Sequence, residues 1–198
     1  MRVVAGKWGG RTIRAPRGTS VRPTTDRVRE AVFAILGDDV RGTVVLDLFA
    51  GTGAMAIESL SRGAAGAVLV ESSPAALATL RANLAALQAE GALCLPLDYR
   101  EAVRRLSAKK RTFDLVFLDP PYGKGLVGQA AELLSRAGIL APGAVVVAER
   151  ASRDPADTLP AEWRERAERR YGDTRITLYD IPDPRGQAPP DRKTQEKR

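Results

Sequence analysis

The stretch "VVLDLFAGTGAMA", residues 44–56, runs an apolar strand into Asp47 and then turns through Gly51 and Gly53 into a largely apolar helix. Glycine at those positions permits a tight turn and lets a ligand approach the backbone closely, as happens where the first strand of an open parallel sheet meets its helix. Glu71 closes the next apolar run, "AGAVLVE", about twenty residues further on, where a carboxylate can accept hydrogen bonds from both hydroxyls of a ribose.

Outward from this turn the same rhythm repeats. "TVVLDLF", "AGAVLVE", "ALCLPLD", "FDLVFLD" and "AVVVAER" are apolar strands, separated by helical patterns near 54–62, 74–87, 99–108 and 126–137. Strands alternating with helices predict an α/β fold, a doubly wound parallel sheet covered on both faces. The rhythm then changes: "WRERAERRYGDTRITLYDI" reads as two strands around Gly172-Asp173, a hairpin. At the other end, "MRVVAGKWGGRTIRAP" reads as two short strands around Gly9-Gly10, since glycine accepts the positive φ of a tight turn. "TTDRVREAVFAILG" carries Val28, Ala31, Val32, Ile35 and Leu36 at helical spacing, with Thr24 or Thr25 as cap and Gly37 as stop. The expected organisation is a basic hairpin and helix over 1–37, the main α/β domain over 38–182, and a Pro-rich, charged, disordered tail over 183–198.

Composition narrows the chemistry. The 198 residues include 31 Lys and Arg against 24 Asp and Glu, a formal charge of +7 that favours a polyanionic partner such as nucleic acid. Lys7, Arg11, Arg14, Arg17, Arg22, Arg27 and Arg29 crowd the N-terminal segment, which makes it the candidate nucleic-acid contact, against the plainer reading of a solvated charged arm. Histidine is absent and Cys94 is the one cysteine, which excludes disulfides within the chain, Cys/His zinc sites and any mechanism needing an imidazole base. No metal is expected. Neither a membrane span nor the apolar core of a signal peptide is legible, so a cytoplasmic protein is expected.

A second stretch ends its strand in an unusual way. "FDLVFLDPPYGKG", residues 113–125, sets Asp119 against Pro120, Pro121 and Tyr122. Each proline locks φ and lacks an N–H, and Pro121 drives Pro120 towards extended backbone, so the carbonyls of this turn point in fixed directions. A fixed carbonyl beside a carboxylate is a prepared pair of hydrogen-bond acceptors. A rigid surface turn is the plainer alternative, and the neighbouring residues decide between them.

Gly51, Gly53 and Ala56 also satisfy the dinucleotide fingerprint in its G-x-G-x-x-A form, which raises a nicotinamide-dependent oxidoreductase. Asp47 speaks against it, because a carboxylate just before the glycines opposes a pyrophosphate and welcomes an amino group or a sulfonium. With Glu71, Asp98 and Asp119 at further strand ends, the carboxyl edge of the sheet is ringed by acids. Such an edge suits a cationic cofactor that also carries ribose and adenine. S-adenosylmethionine fits that description.

"DLFAGTG", Glu71, Asp98 and "DPPY", in this order, resemble the Rossmann-like methyltransferases that modify exocyclic amines, and the resemblance covers most of the chain. "MRVVAGKWGGRTIRAP" and "VRPTTDRVREAVF" further resemble the bacterial 16S rRNA guanine-N2 methyltransferase family of the small ribosomal subunit. That resemblance implies a mostly parallel seven-stranded sheet with an antiparallel last strand, S-adenosylmethionine as cofactor, and 16S rRNA or the small subunit as partner of a monomeric enzyme. It implies that Gly51 and Gly53 cradle the methionine end with Asp47 near its amino group, that Glu71 holds the ribose, that Asp98 faces the adenine amine, and that Thr52 and Ser72 are further cofactor-binding residues. Phe49 and Tyr99 are further cofactor candidates, although packing explains them equally well. Lys7, Trp8, Arg11, Arg14, Arg22 and Arg27 become the candidate RNA contacts, Trp8 as either a hairpin anchor or a stacking surface, while Trp163 is assigned to packing. "GKG" after the tyrosine is less basic than the family suggests, which leaves Lys124 without a role.

In such a family Asp119, Pro120, Pro121 and Tyr122 are the catalytic set. A purine amine is a poor nucleophile because its lone pair is delocalised, and acceptors on its two hydrogens favour a pyramidal nitrogen that can attack without a general base. Asp119 and the Pro120 carbonyl would be those acceptors, and Tyr122 a face on which the extruded base stacks. Two rivals stand beside this reading. A DNA adenine-N6 methyltransferase would use the same turn but usually needs a recognition domain for which the chain has no spare length. A non-catalytic nucleic-acid-binding protein would keep the fold and lose the reason for the acid and proline set.

Overall fold

The computed structural model describes residues 1–15, 26–155 and 157–183. Arg17, Arg22, the caps expected at Thr24 or Thr25, and the tail beyond residue 183 lie outside the described residues. The elements are α1 (Asp26–Leu36), β1 (Val44–Asp47), α2 (Ala54–Ser61), β2 (Gly66–Val70), α3 (Pro74–Leu87) and β3 (Ala92–Leu95), followed by α4 (Tyr99–Ala108), β4 (Phe113–Leu118), α5 (Leu126–Ala137), β5 (Leu140–Ala151), β6 (Arg164–Tyr171) and β7 (Thr174–Asp180).

All seven strands form one sheet in the order β3-β2-β1-β4-β5-β7-β6. Strands β1 to β5 run parallel, and β7 is antiparallel to both β5 and β6, so the last strand in the chain is the inverted one, as expected. The turn between β6 and β7 passes through Gly172 at φ +58, a left-handed conformation that glycine adopts without strain. Alternation along the central strands builds two cores. Val45, Leu115, Phe117, Val145 and Val147 face α1, α2 and α3, while Leu46, Val116, Leu118 and Val146 face α4 and α5. Both faces are thereby covered, which accounts for the unbroken apolar strands of the sequence.

The N-terminal hairpin forms with a wider turn than its sequence suggests. Arg2 bridges Thr12, Val3 N–H donates to Arg11 O at 2.9 Å, and Ile13 N–H donates to Met1 O at 3.0 Å. Between them the chain makes a 3-10 turn at Gly6–Trp8 and reverses at Gly10, φ +81, so Gly9-Gly10 is not a two-residue tip. The reason is docking. An added Cβ at Gly6 would lie 1.9 Å from Ser61 O, which shows how closely this turn lies on the end of α2. Trp8, 5% exposed, packs into the core and its backbone N–H donates to Ser61 Oγ at 2.9 Å, so of the two roles considered for it the anchor is correct and the stacking surface is not.

A buried ionic cluster fastens the same segment. Glu58, fully buried on α2, accepts the N–H groups of Val4 and Ala5 at 2.7 and 3.0 Å and pairs with Arg62 at 2.7 Å and Arg29 at 3.6 Å. Arg29 is also fully buried and donates to Arg2 O and to Asp26. It is therefore an internal strut and not part of a basic surface. Val3, Trp8 and Ile13 share one apolar cluster with α1 and the central strands, so the extension and the sheet have a common core.

Candidate active site

Strand order reverses between β1 and β4, and in such sheets ligands bind outside the carboxyl ends at that point. Leu48 N–H donates to Phe117 O at 3.1 Å, so the glycine turn after β1 and the Asp-Pro-Pro-Tyr turn after β4 leave the sheet side by side.

The glycine turn is held from two sides. Gly51 at φ +54 and Gly53 at φ +81 need the left-handed region, and Gly53 seeds α2. Glu71, at the end of β2, accepts the Gly51 N–H at 2.8 Å on one carboxylate oxygen and the Ser73 N–H at 2.6 Å on the other. An ionised carboxylate has about four acceptor directions, so this geometry fixes Glu71 while leaving lone pairs for a diol. Ser72 is exposed beside it, and Ser73 caps α3 ahead of Pro74. On the other side Asn83 of α3, 2% exposed, donates to Thr52 O at 3.0 Å.

Asp47, 2% exposed, lies beneath the turn. Burial pushes its carboxyl up to about 7, the backbone N–H groups of Ala56 and Phe49 oppose the shift, and the charge of Glu71 adds to it. A cation placed between the two carboxylates relieves both burial and repulsion. Asp98 departs from its expected place: β3 ends at Leu95, and Asp98 stands in the following bend, where it caps α4 by accepting the Arg100 N–H at 2.9 Å. It remains exposed at the rim. Tyr99 is 5% exposed, its ring 5.2 Å from Phe49 and under the Arg100 guanidinium, which makes it a packing residue, while Phe49 stays half-buried at the site's edge.

After β4, Asp119 is half-buried and Pro120 buried, whereas Pro121 and Tyr122 reach solvent. The Tyr122 ring is 41% exposed, yet its hydroxyl donates to Glu149 Oε1 at 2.5 Å and meets Thr174 Oγ1 at 3.3 Å. Burial and the Glu149 carboxylate push the phenol well above its ordinary value, so it stays a neutral donor. A cleft of about 280 Å³ lies against Pro120, Pro121 and Tyr122 on one side and Asp154, Asp157 and Thr158 on the other. Glu149 and Asn83 had no local signal: each acts on a partner far away in sequence.

The candidate RNA contacts separate. Lys7, Arg11, Arg14 and Arg27 are exposed; Lys7 lies 5.3 Å from the Trp8 ring, and Arg11 donates to Ala86 O at the end of α3 at 2.6 Å. Lys124 is exposed, its carbonyl accepting from Gln129. Trp163 packs on Tyr179 and donates to Ser135, as expected.

An inverted seventh strand, a glycine turn and an acid-Pro-Pro-Tyr turn at the switch point define a Rossmann-like methyltransferase architecture. Over residues 1–180 the chain matches the family described as "Conserved hypothetical protein 95", and it belongs to that family. It is 37% identical over 179 residues to Ribosomal RNA small subunit methyltransferase D of Escherichia coli K12, covering 90% of this chain and 89% of that protein. To the protein of the same name from Haemophilus influenzae it is 33% identical over 184 residues, covering 90% and 93%. Among solved structures, the Escherichia coli protein yhhF superposes with a TM-score of 0.82 at 36% identity, over 92% of this chain and 98% of that chain. A hypothetical protein of Thermus thermophilus does so with a TM-score of 0.76 at 29% identity, over 92% and 99%. The family read from the sequence motifs is thus borne out.

Proposed function

We propose that this chain transfers a methyl group from S-adenosylmethionine to the exocyclic N2 amine of a guanine in 16S rRNA. The observation that carries the reading is the adjacency of the two turns, with the Glu71-pinned glycine turn for a ribose-bearing cation on β1 and the Asp119 turn for an amine on β4. The methyltransferases that this chain resembles act, by name, on small-subunit ribosomal RNA, and the +7 charge agrees with such a substrate.

The residues would divide the work. Glu71 accepts from the ribose hydroxyls, Asp47 sits beneath the methionine amino group, Gly51, Thr52 and Gly53 line the methionine end, and Asp98 and Ser72 stand at the rim near adenine and ribose. When bound, the cofactor supplies an electrophilic methyl on sulfur. Asp119 and the Pro120 carbonyl would accept the two amine hydrogens, which would free the nitrogen lone pair for the methyl that the cofactor supplies, and the surplus amine proton would leave along one of these hydrogen bonds. Asp119 offsets the positive charge that grows on nitrogen, and Tyr122, fixed by its hydroxyl, presents a ring face to the extruded base. Lys7, Arg11, Arg14 and Arg27 are exposed to meet phosphates.

The test is incubation with labelled S-adenosylmethionine and, separately, 16S rRNA, small subunits and duplex DNA, followed by identification of the methylated base. N2-methylguanine in rRNA is expected; N6-methyladenine in DNA would replace the proposal with its rival. Asp119→Ala should lower the single-turnover rate by about a hundredfold with cofactor affinity retained, because the acceptor acts chiefly in the transition state.

A further inference from the structure

Helix α3 carries three attachments on successive turns of one face. Leu80, fully buried, lies under Gly53 so closely that an added Cβ there would come within 2.4 Å of its Cδ1. One turn on, the Asn83 side chain accepts the Arg14 N–H at 2.9 Å through Oδ1 and donates through Nδ2 to Arg14 O at 3.1 Å and Thr52 O at 3.0 Å. Another turn on, Ala86 O accepts from the Arg11 guanidinium. The side chain of Arg14 is exposed while its backbone is held.

Asn83 is thus a buried amide whose acceptor and both donor hydrogens are engaged, by two segments far apart in the chain. From this geometry we infer that Asn83 is a positioning residue that couples the basic arm to the cofactor turn, so that filling either site tightens the other. The inference rests on the methyl-transfer reading for the identity of the two ligands. A single amide cannot satisfy Arg14 and Thr52 unless both backbones are in register with it. A ligand that orders the turn around Thr52 therefore orders Arg14, and a polyanion that grips the Arg14 side chain orders Thr52. Linkage makes the effect reciprocal, with one coupling factor for both directions.

The probe is S-adenosylhomocysteine, with amide hydrogen exchange at Arg14 and calorimetry as readouts. In the wild-type chain, saturation with the probe should slow exchange at Arg14, a residue that contacts no part of the proposed cofactor site. In Asn83→Ala that response should vanish and affinity for the probe should fall by up to about tenfold, the scale of a lost buried hydrogen bond. Should Asn83→Ala fold poorly, Arg14→Pro carries the test. It removes the N–H that Oδ1 accepts, together with the guanidinium and the freedom of φ, so Arg14→Ala, which loses the guanidinium and keeps the N–H, is its control. Arg14→Pro should weaken probe binding several-fold, and Arg14→Ala should leave it unchanged. A merely structural Asn83 would lower the melting temperature and leave probe affinity in Arg14→Pro unchanged. An unresponsive Arg14 amide in wild type, or wild-type affinity in Arg14→Pro, overturns the coupling while leaving the proposed function standing. Failure of the wild-type chain to bind the probe at all overturns both.

Discussion

The Tyr122 hydroxyl donates to Glu149 Oε1 at 2.5 Å, which ties the last residue of the Asp-Pro-Pro-Tyr turn to β5 and sets the plane of a ring that is otherwise 41% exposed. Two prolines fix one end of the turn and this bond fixes the other. Tyr122→Phe keeps the ring and loses the tether, so single-turnover methylation should fall several-fold, about 1 kcal/mol, while Tyr122→Ala should fall further through lost stacking. Cofactor affinity measured by calorimetry should be the same in both variants and wild type.

Asp47 predicts a pH dependence with a definite sign. Its carboxyl is raised to about 7 by burial, and a cation binds best to its ionised form. Above that value the site is ready. Below it, each bound cofactor must expel a proton, so affinity should fall by about tenfold per pH unit. Calorimetry from about pH 5.5 to about pH 8.5, a window that brackets the raised carboxyl, checks it. For the stability of the unliganded chain the same group acts in reverse: its folded value lies above the ordinary carboxylate value of 3.8, so its contribution declines as pH rises towards about 7 and is constant beyond.

The two glycines should respond differently to alanine. At Gly51 the nearest atom to an added Cβ is Phe49 O at 4.0 Å, so Gly51→Ala bears only the cost of its φ of +54, about 1 kcal/mol. At Gly53 a methyl would meet the buried Leu80 and also adopt φ +81, so a loss of about 2–4 kcal/mol is expected. Urea titration of the two variants separates a glycine kept for a ligand's approach from one kept for packing.

How much of this was legible in the sequence follows from how local each signal is. The helices at Pro74–Leu87, Tyr99–Ala108 and Leu126–Ala137 lie where the periodicity places them, because their apolar positions and their ends are encoded within a few residues. The same holds for the strand-end acids Asp47, Glu71 and Asp119. Arg29 misled, because it looked like a member of a basic patch, and Glu58 gave no sign. Their backbone partners in the N-terminal segment, Arg2 for Arg29 and Val4 for Glu58, lie 27 and 54 residues away, a distance over which composition says nothing of contact. Trp8 was ambiguous for that reason, since Ser61 decides its role.

The Glu58 cluster should be costly to break. Glu58→Ala takes from the buried Arg29 one of its two carboxylates, leaving Asp26, and leaves the Val4 and Ala5 N–H groups without their acceptor. A loss of about 3–5 kcal/mol is expected, against well under about 1 kcal/mol for Glu132→Ala at the exposed pair with Arg136. Chemical denaturation followed by fluorescence of Trp8 and Trp163 measures both.

For the arm, Lys7 and Arg14 are the informative positions, because the Arg11 guanidinium already serves α3. If each of the two meets an RNA phosphate, replacing both with alanine should lower the salt slope of RNA binding by about 2 units. An unchanged slope would return the arm to the role of a solvated surface.

Docking through Glu58 also orders events in time. Val4 and Ala5 lie 54 and 53 residues before the carboxylate that holds them, so as the chain emerges during synthesis their segment waits for α2 before it can settle. Closing so long a loop is a late step, one that the folding transition state has little reason to contain. Weakening the clasp should therefore quicken unfolding and hardly slow folding, with the segment ahead of α2 the last to close and the first to leave.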